Sequence, residues 1–355
     1  MAPFQLLTLG WIFLYSSLVG ASNSITEISI DRPIAEVTRP CCTFGVNQIN
    51  KVMGISKLID LKSLGVHSYQ RKILKDNVGT GYSCHGGFID VSHLRDNADW
   101  AGQLYRLLQK KLPEGGTFEV RSEGGFKSRT LELHTLEREY LDSLTEEDYE
   151  KIAVSISFDI SLFHEIATSF KMPVSGPFFN EMASAFSIED GYSNLLGAIL
   201  GARAARESVQ FDLNLTQLLR ENLTQVKLQD QQVSKEAFLL VRGLWWRKQL
   251  KSSFSGVLKR DFTTNGEIVP RLIPGLEACG LVQPSRISIP SLLSNGRHVS
   301  EYYTLRVELN DKLQKYLHEI DLPVGNELTQ TDIRPIVTRI REHFLKLLGP
   351  SIETN

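Results

Sequence analysis

TEEDYEKIAVSISFDISLFHEIATSF, residues 145–170, is the stretch on which the fold turns, because it carries two periodicities at once. Ile152, Val154, Ile156, Phe158, Ile160 and Leu162 alternate with polar or small residues, as in a half-buried strand. Ile152, Ile156, Ile160, Phe163, Ala167 and Phe170 also line one face of a helix. Length arbitrates: more than ~20 residues without Gly or Pro is long for a strand and ordinary for a helix. Thr145 followed three residues later by Asp148 supplies an N-terminal cap, and Lys171-Met172-Pro173 a stop. The reading is a helix.

The neighbouring segments then sort themselves. Trp100, Leu104, Leu107, Leu108 and Leu112 give residues 98–112 helical spacing, ended by Pro113 and Gly115-Gly116. Residues 117–136 hold two alternating runs around Gly124-Gly125, a hairpin signal. Residues 186–206 read as a helix with a small-residue stripe of Gly197, Ala198, Gly201, Ala202 and Ala204, Ser187 and Asp190 standing at its start. Further helices are expected at 233–250 and 333–348, and a strand at 302–309. Together these define an α+β protein, a mainly helical single domain with a small antiparallel sheet, over residues 41–350 behind a polar leader at 22–40.

The chain has 355 residues, 42% hydrophobic and 23% charged, with a formal net charge of −2. Such a balance gives no electrostatic footprint for nucleic acid. Residues 4–20 are mostly apolar, and Val19-Gly20-Ala21 suits signal-peptidase cleavage, so residues 1–21 read as a signal peptide despite the lack of a Lys or Arg before them. An uncleaved anchor is the alternative, the run being near the ~17-residue lower limit for a span. The four cysteines Cys41, Cys42, Cys84 and Cys279 allow two disulfides in an exported chain, with three pairings. They contain no CxxC pair for a thiolate zinc site.

Chemistry concentrates in YSCHGGFIDVSHLRDNADW, residues 82–100. If this segment leaves a strand for a helix, Asp90 and His93 converge, and carboxylate and imidazole are both zinc donors. His164-Glu165 resembles the first half of an HExxH signature, but Thr168 replaces the second histidine, so further ligands must come from elsewhere: Asp90, His93, His134, Glu189 or Asp190. The set expected to hold a metal, zinc first, is Asp90, His93, His164 and Glu189. Glu165 is expected as general base and Arg95 as the group that orients Asp90 or binds a substrate anion. The plainer alternatives are a salt-bridged turn around Arg95 and a buried histidine in a hydrogen-bond network. Cys84 offers a second chemistry, as a nucleophile activated by His67 or His93. It is also the natural partner of a disulfide. Trp245-Trp246 before Arg247-Lys248 fits peripheral contact with a lipid or glycan surface as well as a half-buried turn.

The runs Cys42–Gly45 and Gly87–Trp100, the His164-Glu165 pair with Thr168, and Glu189-Asp190-x-Tyr-Ser-Asn194 together resemble an uncharacterised family of exported bacterial proteins, a domain of unknown function. The resemblance spans about residues 40–350. It implies a Gram-negative source, a periplasmic or outer-membrane-associated setting and a helix around His164, but no activity. The function expected is therefore an exported metal-dependent hydrolase acting on an unidentified substrate or envelope component. A thiol enzyme built on Cys84 and a non-catalytic envelope binding protein are the alternatives.

Overall fold

Gly197 and Gly201 set the spacing at the centre of the molecule. A Cβ at Gly197 would stand 2.1 Å from the Leu94 carbonyl oxygen, and one at Gly201 would stand 2.0 Å from that of Ala98. Two helices therefore meet there backbone to backbone: α1 (Val91–Lys111) and α4 (Asp190–Glu207), with α3 (Glu146–Ser169) packed against both. The computed structural model describes residues 28–36, 38–39, 44–45, 58–69, 77–170, 184–247 and 256–349. The proposed signal peptide, Cys41 and Cys42 lie outside these residues.

Helix α3 is the 145–170 stretch, and its capping box is formed. Asp148 N–H donates to Thr145 Oγ1 at 3.2 Å, and Thr145 N–H donates back to Asp148 Oδ2 at 3.0 Å. The double periodicity has a structural reason. Val154, Phe158 and Leu162 are buried as well as Ile152, Ile156 and Ile160, because neighbours cover α3 on nearly every side.

The hairpin of β1 (Thr80–Ser83) and β2 (Gly87–Asp90) runs straight into α1. Asp90 makes the switch, its carboxylate accepting from Ser92 N–H at 2.6 Å and His93 N–H at 3.4 Å. This cap starts α1 at Val91, well before the apolar spacing becomes visible at residue 98. Strands β3 (Gly116–Val120) and β4 (Phe126–Leu133) form the expected hairpin, and later in the chain β5 (Glu267–Ile268) pairs with β6 (Ile287–Ser288). With β7 (Tyr303–Leu309) and β8 (Glu327–Thr329) they make an antiparallel sheet in the order β3-β4-β7-β8. Leu131 and Leu305, paired across it, are fully buried. Both β7 and the amphipathic α8 (Ile333–Leu348) contact α3.

Among the described residues there are eight α-helices; the short α2 (Arg138–Asp142) is one of them. Three went unread in the sequence, α2, α5 (Phe211–Gln225) and α7 (Asp311–Glu319). The α5 stripe of Phe211, Leu215, Leu219 and Leu223 is buried at strict four-residue spacing, a legible signal. Helix α6 (Gln231–Leu240) is shorter than its apolar run. The chain turns at Gly243 (φ +84°), and Trp246 folds back so that its indole N–H donates to the Phe238 carbonyl at 2.8 Å. Trp245 and Trp246 thus belong to a second core with Phe44, Tyr82, Phe88 and Phe238, beneath the β1–β2 hairpin. No helix among the described residues is long and apolar enough to cross a membrane.

Candidate metal centre

Three helices deliver one donor each to a single point. His93 sits in the first turn of α1, Glu165 near the end of α3, and Asp190 is the first residue of α4. One ligand atom from each lies within 4.8 Å of the other two, and all three residues are buried. The Gly197 and Gly201 contacts hold α1 close enough to α4 for this meeting.

The carboxylates are oriented before any ligand arrives. Glu165 Oε2 accepts the Phe186 N–H at 2.6 Å. Asp190 Oδ2 accepts from the N–H and the hydroxyl of Ser187, both at 2.9 Å. Asp190 Oδ1 is left with no hydrogen-bond partner among the described residues, standing 3.3 Å from His93 Nδ1 but off a hydrogen-bonding angle. Asp90 Oδ2 and Glu189 Oε2 are likewise buried without a hydrogen bond among the described residues. Orphaned anionic oxygens are costly in a dry interior, at ~1–3 kcal/mol or more each.

The electrostatics follow from this crowding. Burial, then the Glu165 carboxylate, pushes the Asp190 carboxyl up to about 8. Burial, then Asp190, pushes Glu189 well above the usual carboxylate range. Burial alone would lower the His93 imidazole, but the carboxylates of Asp190, Asp90 and Glu165 outweigh it and hold it above its ordinary value. Arg260 brings positive charge to the same acids. Burial lowers its guanidinium to about 10, and it is fixed by donation to the Ala185 carbonyl and by the Phe344 ring 4.4 Å away. An imidazole nitrogen and two carboxylate oxygens form a donor set whose chemistry suits a divalent ion such as zinc or manganese.

His164, expected as a metal ligand, is not among the three converging groups but stands beside them. Its Nδ1 lies 2.8 Å from Glu123 Oε2, whose other oxygen accepts from Arg129 Nη1 at 2.6 Å. Burial would raise Glu123, but Arg129 and His164 outweigh it and keep it below its ordinary value. The His164 ring stands edge-on to the His93 ring, centroids 6.4 Å apart. Both rings line a cavity of about 30 Å³ with Arg39, Trp100, Ser161 and Asn194.

The expected set is therefore rearranged. His93 and Glu165 do meet, Glu165 standing among the three converging groups. Asp190 takes the position expected of Glu189, because a neighbouring helical side chain leaves the axis about a third of a turn away. Asp90 is occupied in capping α1 through Oδ1. Arg95 is not its partner. Two residues beyond His93, it faces the other side of the helix, donating to the Leu64 carbonyl at 2.7 Å and lying 3.3 Å from His67 Nδ1. Asp96, the neighbouring acid that a salt-bridged turn would set against Arg95, pairs instead with Arg39 at 2.8 Å. His134 serves the sheet, between the Glu301 carbonyl and the Thr304 hydroxyl. Cys84 is bonded to Cys279, which removes the thiol a nucleophile would need and overturns the thiol-enzyme alternative. Glu123 and Arg260 were missed. Both lie far from the site in sequence, Glu123 in a hairpin turn and Arg260 in an irregular segment, and neither carries a periodic signal.

Fold and site together define an α+β protein with a buried centre of one histidine and two carboxylates at the junction of three helices. The family model described as "Protein of unknown function (DUF4056)" matches residues 29–274, and the chain belongs to that family. The match contains His93, Glu165, Asp190 and Arg260, while β7, α7, β8 and α8 lie beyond it. Comparisons with curated proteins and with solved structures return no match.

Proposed function

We propose that this is an exported, metal-dependent hydrolase of the bacterial envelope, periplasmic or associated with the outer membrane, with His93, Glu165 and Asp190 as protein ligands. The observation that carries the reading is the convergence of these three donors within 4.8 Å, with an orphaned Asp190 oxygen among them. A zinc or manganese ion held there supplies a Lewis acid that lowers the pKa of water. Beside such an ion, His164, whose Nδ1 lies 2.8 Å from Glu123 Oε2, would serve as general base toward the attacking water and then as general acid toward the leaving group. The Cys84–Cys279 disulfide supports an oxidising compartment, and the apolar run at 4–20 supports export. Peptide, peptidoglycan, lipid and glycan bonds remain the substrate classes to screen.

The test is hydrolysis of ester, amide and glycoside panels by chelated protein before and after zinc or manganese is restored. Metal-dependent turnover is expected, and His164→Gln lowers kcat ~10²–10⁴-fold while metal content stays unchanged. Turnover that ignores the metal, or is unaffected by His164→Gln, sinks the mechanism. The small size of the cavity, about 30 Å³, favours a second reading, a non-catalytic binding protein whose ion is structural. Stoichiometric metal without hydrolysis of any panel member is the result that selects it.

A further inference from the structure

The C-terminal end of α6 and the turn after it expose aliphatic side chains amid basic residues. Ten large aliphatic residues are exposed among the described residues, and three of them, Leu239, Leu240 and Leu244, fall within six positions. They are 43%, 55% and 67% exposed. Single exposed leucines are ordinary, but a cluster of them marks a contact surface.

The turn projects from the protein. Gly243 (φ +84°) forms its tip, and a Cβ there would meet nothing within 4 Å. Beneath the tip the chain is fixed. Leu244 N–H and Trp245 N–H donate to the Val241 carbonyl at 3.0 and 2.8 Å, and both tryptophans are buried in the second core. The chain then pairs with residues 256–258: Arg247 N–H donates to the Gly256 carbonyl at 2.8 Å, and Leu258 N–H to the Trp245 carbonyl at 2.7 Å. The leucines are thus held out in water on a rigid base. Folding buries less than half of Leu240 and Leu244, so the fold does not account for leucine at either position.

Charge narrows the choice of partner. Residues 237–260 hold six Lys or Arg and no Asp or Glu, in a chain whose formal net charge is −2. Arg260 is the buried cation of the metal centre, but Arg242 is exposed between Leu240 and Leu244, its guanidinium 5.8 Å from the Trp246 ring. Arg247 is exposed at the base of the turn. The acid nearest the leucines in sequence, Glu236, accepts from Gln232 Nε2 at 2.8 Å, and Asp230 caps the far end of α6. Both indoles are buried, at 7% and 1% exposure, so neither offers a face to a sugar ring. A convex aliphatic tip with arginines beside it fits the boundary between headgroups and acyl chains, where leucines enter the apolar layer and guanidinium groups stay among phosphates.

We propose that residues 239–247 dock the protein on a bilayer surface containing anionic phospholipid, with Leu240 and Leu244 inserted and Arg242 and Arg247 at the headgroups. This contact requires no activity at the metal centre.

Hydrogen exchange of the full chain tests this, read on peptides covering 239–247, with vesicles of phosphatidylcholine alone or mixed with phosphatidylglycerol. The local readout separates this contact from any made by the apolar run at 4–20. Mixed vesicles should slow exchange in these peptides, and neutral vesicles or raised salt should slow it less. Arg242→Gln should raise the lipid concentration for half-maximal protection roughly fivefold. Leu240→Asp combined with Leu244→Asp should abolish the protection at an unchanged urea midpoint, both positions being exposed. Exchange unaltered by mixed vesicles overturns the proposal, as does protection that is equal on neutral vesicles or survives the paired leucine substitutions. Binding of the chain to vesicles without protection at 239–247 also overturns it, by placing the contact elsewhere.

Discussion

Gly201→Ala sets two opposed effects against each other, and the structure says which wins. In an exposed helix interior this change stabilises by ~1 kcal/mol, because alanine loses less conformational freedom. Here the new Cβ would lie 2.0 Å from the Ala98 carbonyl oxygen, whereas real Cβ contacts under 3.0 Å are essentially absent. Helix α4 must retreat from α1 by about 1 Å, and no side chain at the contact can yield instead. Overpacking costs ~1–3 kcal/mol, and a backbone obstacle places this case at the upper end. The net expectation is a loss of about 2 kcal/mol. Urea unfolding should show it as a lower midpoint at unchanged slope. Gly325→Ala, with nothing within 4 Å of its Cβ, is the control and should stay within ~0.5 kcal/mol of wild type. The same retreat separates His93 from Asp190, so zinc affinity should fall too. A Gly201→Ala protein more stable than wild type would refute the close contact and, with it, the account of how the donors are brought together.

Other expectations rest on different parts of the molecule. Glu123→Gln removes the carboxylate shared by His164 and the buried Arg129 and should cost ~3 kcal/mol by chemical denaturation; a loss below ~0.5 kcal/mol contradicts the pairing. An alkylating reagent should label Cys84 only after reduction, and Cys279→Ser should lower stability by ~2–5 kcal/mol; labelling of native, unreduced Cys84 argues against the bond. Desolvation pushes Asp159 up to about 7 despite the Tyr303 hydroxyl that donates to it at 2.6 Å. The folded state therefore holds a proton that the unfolded chain gives up near 3.8, and this contribution to stability is full at low pH and lost as pH rises from about 4 to about 7. Asp159→Asn should flatten that part of the stability–pH curve; an unchanged slope counts against the shift.

Much of the architecture was legible because local signals agreed with tertiary context. The 145–170 helix, the hairpin around Gly124-Gly125 and the strand near 302–309 carry length, turn or alternation signals that packing reinforces. The early start of α1 was hidden because Asp90, Ser92 and Asp96 look like loop residues until the cap and the buried polar partners are seen. The 233–250 run failed as one helix because its tryptophans turn back to fill a second core, a tertiary choice no window contains. In the site, His93 and Glu165 stood out as chemistry-bearing residues amid apolar ones. Choosing Asp190 over Glu189 required the helix start to one residue, the least legible feature of a sequence. Arg95 was misassigned because spacing does not reveal which face of α1 looks toward the loop at 64–67.

The most direct test of the central claim is the metal content of the purified protein, wild type beside His93→Ala and Asp190→Asn, after equilibration with zinc or manganese and removal of excess ion. The account predicts close to one tightly held divalent ion per chain in wild type and loss of it in both variants while they remain folded. A wild-type protein that holds no ion, or variants that keep it, would contradict the claim that His93, Glu165 and Asp190 form a metal centre.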